Sequence, residues 1–159
     1  MIIKDLKIFL QNVQKNNLIV NTILETKFKF DVIFIQEPSW TTICSIHSTR
    51  NSEGEDLVGV QNHPNWLIFV RNLMNENNFP RVVIYINLRL SSLCFSLWKD
   101  ILNHRDILLV LFSNNSNILF LMNIYSDSFH LALKYFKDTK VNIWNFLIMT
   151  GDFNICDNL

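Results

Sequence analysis

The chain alternates short apolar runs with stretches of helical spacing. Residues 6–12, LKIFLQN, are apolar and β-compatible and predict a buried strand. In 16–30, NNLIVNTILETKFKF, the residues Leu18, Ile19, Ile23 and Leu24 recur near helical spacing, with Asn16 or Asn17 placed to cap a helix. Residues 31–37, DVIFIQE, are a continuous β-branched and aromatic run, as in a strand covered on both faces. Strand, helix and strand within about thirty residues is the length a parallel crossover needs.

Residues 38–65 are weakly patterned. HSTRNSEGEDLVG is polar and acidic in its middle, which predicts a long surface loop with room for a short strand. NWLIFVRN and RVVIYINLRL predict two further strands around the loop LMNENNFP. DILLVLF and NILFLMNIY flank SNNSN and predict an antiparallel hairpin. In SDSFHLALKYFKDTKVNIWNF, Asp127 or Ser128 would cap a helix. Phe129, Leu131, Leu133 and Phe136 would supply an imperfect apolar stripe, with Trp144 and Phe146 nearer its end. A last strand, LIMTGD, completes a second β-α-β unit, so the pattern predicts an α/β fold.

Composition narrows this only in places. At 159 residues, 49% of them hydrophobic and with no Pro/Gly/Ser-rich linker, the chain has material for one domain with a substantial core. The formal net charge is zero, so composition lends no support to a nucleic-acid binder, although a local basic patch can sit on a neutral chain. Lys134, Lys137 and Lys140 would line one helix face, and a solvated surface accounts for them. Cys44, Cys94 and Cys156 are odd in number and widely spaced, which fits a reducing compartment better than a disulfide framework or zinc site. Lys4, Asp5 and Lys7 interrupt the first apolar stretch and argue against a signal peptide. SNNSN interrupts the longest candidate membrane segment. The expectation is a soluble, intracellular chain, nuclear or cytoplasmic and not secreted.

Polar groups stand where four apolar runs end: Asn12 after LKIFLQ, Glu37 after DVIFIQ, Tyr125 after FLMNI, and Asp152 after LIMTG with Asn154 two further on. Strands joined by a crossover run parallel, so each pair of ends shares a sheet edge, and ligand sites in α/β sheets favour the carboxyl edge. All four share one rim if the two units are in register. Two carboxylates and two carboxamides are hard oxygen donors suited to Mg²⁺, and a phenol can donate to a phosphate oxygen, so metal-assisted phosphodiester hydrolysis is consistent with the set. Each residue alone has a plainer reading. Glu37 could be the solvated residue after a strand, Asn12 a turn residue, Tyr125 half core, and GDFN a turn.

QN ending the first strand, IQEP ending the second, NIY after a hairpin and TGDFN after a helix resemble the endonuclease/exonuclease/phosphatase superfamily. QNVQKN, IQEPSW, HPNW, RVVIYIN, NIYSDS and MTGDFNI most resemble the apurinic-type endonuclease domain of fungal non-LTR retrotransposons. The resemblance implies a four-layer α/β sandwich, two mixed sheets face to face with helices outside. It implies Mg²⁺, with Mn²⁺ as a substitute, and DNA as the partner. Glu37 would bind the metal, Asn12 would support metal and phosphate, and Tyr125 would touch the scissile phosphate. Asp152 would orient or deprotonate the attacking water, with Asn154 as its hydrogen-bonding partner. Family members carry a late aspartate followed by a catalytic histidine. Here His47, His63, His104 and His130 all precede Asp152. The expectation is that 1–159 is the N-terminal portion of one such domain, incomplete at the C-terminus and with weak or no activity as written. The alternatives are a superfamily phosphatase or small-phosphodiester hydrolase, and a non-catalytic nucleic-acid-binding remnant.

Overall fold

The computed structural model describes residues 6–39, 45–50, 56–58, 63–70, 79–90, 93–98, 104–114, 117–127, 129–139 and 147–152. Along the chain these form β1 (Ile8–Asn12), α1 (Asn17–Thr26), β2 (Val32–Gln36), β3 (Ser45–Arg50), β4 (Asp56–Val58), β5 (Trp66–Phe69) and β6 (Val82–Asn87). Then follow β7 (Cys94–Leu97), β8 (Ile107–Asn114), β9 (Asn117–Tyr125), α2 (Leu131–Asp138) and β10 (Leu147–Asp152). One mixed sheet has the order β1-β2-β6-β5 and the other β10-β9-β8-β7, while β3 and β4 form a separate ribbon. Both expected crossovers are present. β1 runs parallel to β2, ending with Asn12 beside Gln36, and β9 runs parallel to β10, ending with Tyr125 beside Asp152.

Strand alternation sorts the apolar side chains into layers. Val32 and Phe34 of β2, with Val82, Ile84 and Ile86 of β6, point to the other sheet, where they meet Leu108, Val110 and Phe112 of β8 and Leu119 and Leu121 of β9. The alternate residues Ile33, Ile35, Val83 and Tyr85 face Val20, Ile23 and Leu24 of α1. On the far side, Ile107, Leu109, Met122 and Ile124 pack with Ala132 of α2. The result is four layers, helix, sheet, sheet and helix. Two faces of every central strand are covered, which is why DVIFIQ and VVIYIN carry no polar alternation.

α1 begins where Asn16, with extended backbone, accepts from the Leu18 and Ile19 amides at 3.0 and 3.3 Å. That satisfies two of the donors every helix start leaves open. α2 departs from expectation. Asp127 accepts from the Phe129 amide, and His130 takes a left-handed φ of 52°, so the helix cannot start before Leu131. Phe129 and Leu131 are then 79% and 48% exposed, while the expected Phe136 packs, joined by Ala132 and Tyr135. Trp144, Phe146 and Ser128 lie outside the described residues.

Three further differences concern strands. RVVIYINLRL ends its strand at Asn87, whose side-chain oxygen accepts from the Arg89 amide and turns the chain into a 3-10 turn over Leu88–Leu90. β7 lies in a stretch for which the pattern predicted no strand. As an edge strand it buries little, only Leu97 fully. Within the loop expected at 38–65, the chain forms both strands of the β3–β4 ribbon. No helix among the described residues is long and apolar enough to cross a membrane.

Candidate active site at the shared strand rim

The carboxyl ends of β1, β2, β9 and β10 meet at one rim because two buried carboxamides lock the sheets together. Gln36, the last residue of β2, donates from Nε2 to the Ile124 carbonyl at 2.7 Å and to Asn123 Oδ1 at 3.4 Å. Asn123 of β9 donates from Nδ2 to the carbonyls of Ile35 and Val83, each at 3.0 Å. Both side chains lie in the layer between the sheets and are almost fully buried. Buried carboxamides are costly unless satisfied, so this latch strongly favours a single register between the sheets.

On the first sheet, Asn12 Oδ1 accepts from the Gln14 amide at 2.9 Å. The Val13 amide donates to Gln36 O at 3.0 Å, and the Lys15 amide to Glu37 O at 2.7 Å. Gln14, Lys15 and Glu37 all have left-handed φ, at 47°, 61° and 49°. Each non-glycine residue there costs roughly 1–2 kcal/mol. Two neighbouring loops therefore hold three strained residues, tied to each other by the Lys15–Glu37 bond. The Glu37 amide is held in turn by Arg81 O at 2.8 Å. Glu37 is half-buried, and its carboxylate has no side-chain partner among the described residues.

On the second sheet, Tyr125 ends β9, its amide donating to Asp106 O at 2.9 Å. The Arg81 guanidinium lies over its ring at 4.5 Å from the centroid. Arg81 also grips both carboxylate oxygens of buried Asp106 and reaches Asp127 Oδ2 at 2.9 Å. Burial works against the Arg81 charge, but the hydrogen bonds to Asp106 and Asp127 outweigh it and hold the pKa above the ordinary arginine value. The hydrogen bond from Arg81 holds the Asp127 carboxyl below its usual range. Behind this cluster, burial pulls His104 below its ordinary pKa. Asp106 pulls the other way, and the nearby Arg105 and Arg81 add to the lowering. His104 Nδ1 accepts from the Asp106 amide at 3.2 Å.

The rim thus brings together Asn12, Glu37 and Tyr125, with the Asp152 backbone paired to Tyr125. The Asp152 side chain and all of Asn154 lie outside what the structure describes. Among the described residues no group of three His, Cys, Asp or Glu is placed to hold a metal ion.

The architecture matches a solved structure, the endonuclease domain of TRAS1, a telomere-specific non-LTR retrotransposon, with a TM-score of 0.66. The chain shares the fold of that domain. The match covers 95% of this chain at 15% identity, and this chain spans 61% of the TRAS1 domain chain. No protein-family model and no curated protein sequence matches.

Within this fold, the latch and the arginine stack lie beyond what the sequence pattern predicts. Asn123 carries a visible signal, since it is the one polar residue inside the apolar stretch ILFLMNIY. Arg81 carries none, because its partners Asp106, Tyr125 and Asp127 lie 25 to 46 residues away.

Proposed function

We propose that a domain containing these residues hydrolyses phosphodiester bonds in DNA with Mg²⁺ as cofactor, Mn²⁺ substituting, as a retrotransposon-type endonuclease inside the cell. The observation that carries this reading is the pairing, across one latched rim, of a carboxylate on a strained residue (Glu37), without a side-chain partner among the described residues, with Asn12 on the same sheet and Tyr125 on the other. The donor set fits a magnesium ion, which takes few protein ligands and prefers oxygen. Glu37 and Asn12 would hold it, and when bound it would offset charge on the scissile phosphate.

The chain's own residues supply the rest. Tyr125, steadied by Arg81, donates its phenol to a phosphate oxygen. Asp152 orients the attacking water and takes its proton, and Asn154 hydrogen-bonds to Asp152. The water oxygen bonds to phosphorus as one P–O ester bond breaks, and the oxygen that leaves takes a proton from solvent to become a hydroxyl. Because the chain spans 61% of the matched domain, the activity is proposed for the larger unit. The 159-residue polypeptide alone is expected to nick DNA weakly, since the resemblance puts an Asp–His pair that stabilises transition-state charge further along.

Calorimetric titration of the polypeptide with Mn²⁺ tests this. Losing an outer-shell partner of a metal site costs about 10–100-fold in affinity, so Glu37→Gln, which removes a ligand, should cost at least about tenfold. Binding that Glu37→Gln leaves unchanged, or no binding by the parent protein, would sink the metal site. Robust Glu37-dependent nicking of plasmid by the 159 residues would overturn the expectation of weak activity.

A further inference from the structure

Four residues beyond Tyr125, the chain holds an aromatic ring out in solvent. Phe129 is 79% exposed, the most exposed large apolar side chain among the described residues. Its amide donates to Asp127 Oδ1 at 3.1 Å, and Asp127 is clamped by Arg81, the same guanidinium that stacks on Tyr125. The left-handed backbone of His130 stops the helix from reaching back to cover the ring, and the Ser126 hydroxyl lies 3.2 Å from His130 Nδ1. Leu131 is 48% exposed beside it, and Lys134 and Lys137 follow on the exposed side of α2.

An apolar protein partner would favour a contiguous apolar patch. Here one exposed ring is followed on α2 by two exposed lysines, and an aromatic ring with cationic side chains along the same element is the combination that binds nucleic-acid strands by stacking a base and pairing phosphates. We propose that Phe129 is a stacking platform for an unpaired base of the DNA strand whose phosphate meets the Tyr125 rim, with Lys134 and Lys137 along the flanking backbone. This rests on the endonuclease reading and adds to it a substrate preference, for DNA that is single-stranded or locally unpaired beside the scissile bond.

Fluorescence-anisotropy binding in EDTA separates this from the hydrolytic reading, because no metal is needed. The probes are a single-stranded DNA oligonucleotide, its full duplex, a duplex with one unpaired base, and an RNA strand of the same sequence. Stacking of one base corresponds to about five- to 150-fold in affinity. Phe129→Ala should lose that factor on the single strand and the unpaired duplex and little on the full duplex. Phe129→Trp should retain the parent affinity. Lys134→Gln with Lys137→Gln should weaken all DNA probes and flatten the salt dependence. An equal loss on every DNA probe, no loss, or no binding by the parent protein would overturn the platform. RNA binding as tight and as Phe129-dependent would overturn its assignment to DNA. Phe129 is exposed, so its replacement leaves the core intact.

Discussion

The two ends of β2 each carry a carboxylate, and the fold uses them in opposite ways. Asp31, just before the strand, is buried and fully engaged. It accepts from the Lys7 amide at 2.8 Å and from Arg89 at 2.8 and 3.1 Å, while Arg89 also holds Lys29 O at 2.9 Å. Asn87 joins this end by donating to the carbonyls of Phe28 and Phe30. Glu37, just after the strand, is half-buried, left-handed and without a side-chain partner among the described residues. One carboxylate stabilises the fold. The other is held at a conformational cost with no side-chain partner among the described residues, and backbone strain of this kind clusters where function opposes stability.

Breaking the device that maintains this difference should have the largest effect. Asn123→Ala removes three buried hydrogen bonds and leaves a void between the sheets, and should cost about 3 kcal/mol. Urea unfolding followed by tryptophan fluorescence measures it, and a loss below about 1 kcal/mol would mean that the latch does not hold the sheets. Asp31→Ala should cost about 2 kcal/mol in the same assay, the exposure of Arg89 limiting the figure. An effect near zero there would erase the contrast between the strand ends.

Glu37→Gly should act with the opposite sign. It relieves the left-handed strain and should stabilise by up to about 1 kcal/mol, while eliminating Mn²⁺ binding. Destabilisation instead would show Glu37 to be as engaged in the fold as Asp31 is.

The smallest effect concerns pH. The folded-state pKa of His104 lies below its ordinary 6.5, so protonation favours the unfolded chain. This contribution to stability is complete above about pH 6.5 and is lost as pH falls through the lowered value. Protonation would also remove the bond that Nδ1 accepts from the Asp106 amide. His104→Gln should flatten the decline in stability below about pH 6.5, measured by melting temperature against pH. An unchanged profile would place the acid sensitivity elsewhere.

Both crossovers were legible in the chain because burial on two faces writes itself as unbroken β-branched and aromatic runs, and α1 because its cap and apolar spacing are local. The β8–β9 hairpin was legible for the same reason. β7 was not, since an edge strand with one fully buried side chain leaves little periodic trace. The late start of α2 was not either. Asp127 is a good cap by residue type, but its carboxylate is also engaged by Arg81, 46 residues earlier, and it sits in a turn before the helix.

Of the candidate site, the chain alone named the groups: a carboxamide, a carboxylate and a phenol, each at the end of an apolar run. Local periodicity suffices for that, because it records which residues leave the core and where. Whether those ends converge was decided between the sheets, by Gln36 reaching Asn123 and Ile124 across 87 and 88 residues of chain. The left-handed backbone of Glu37 and the arginine stack on Tyr125 belong to the same class. They depend on hydrogen bonds and charges donated by distant strands, and no pattern within a single segment encodes which distant partner a side chain will find.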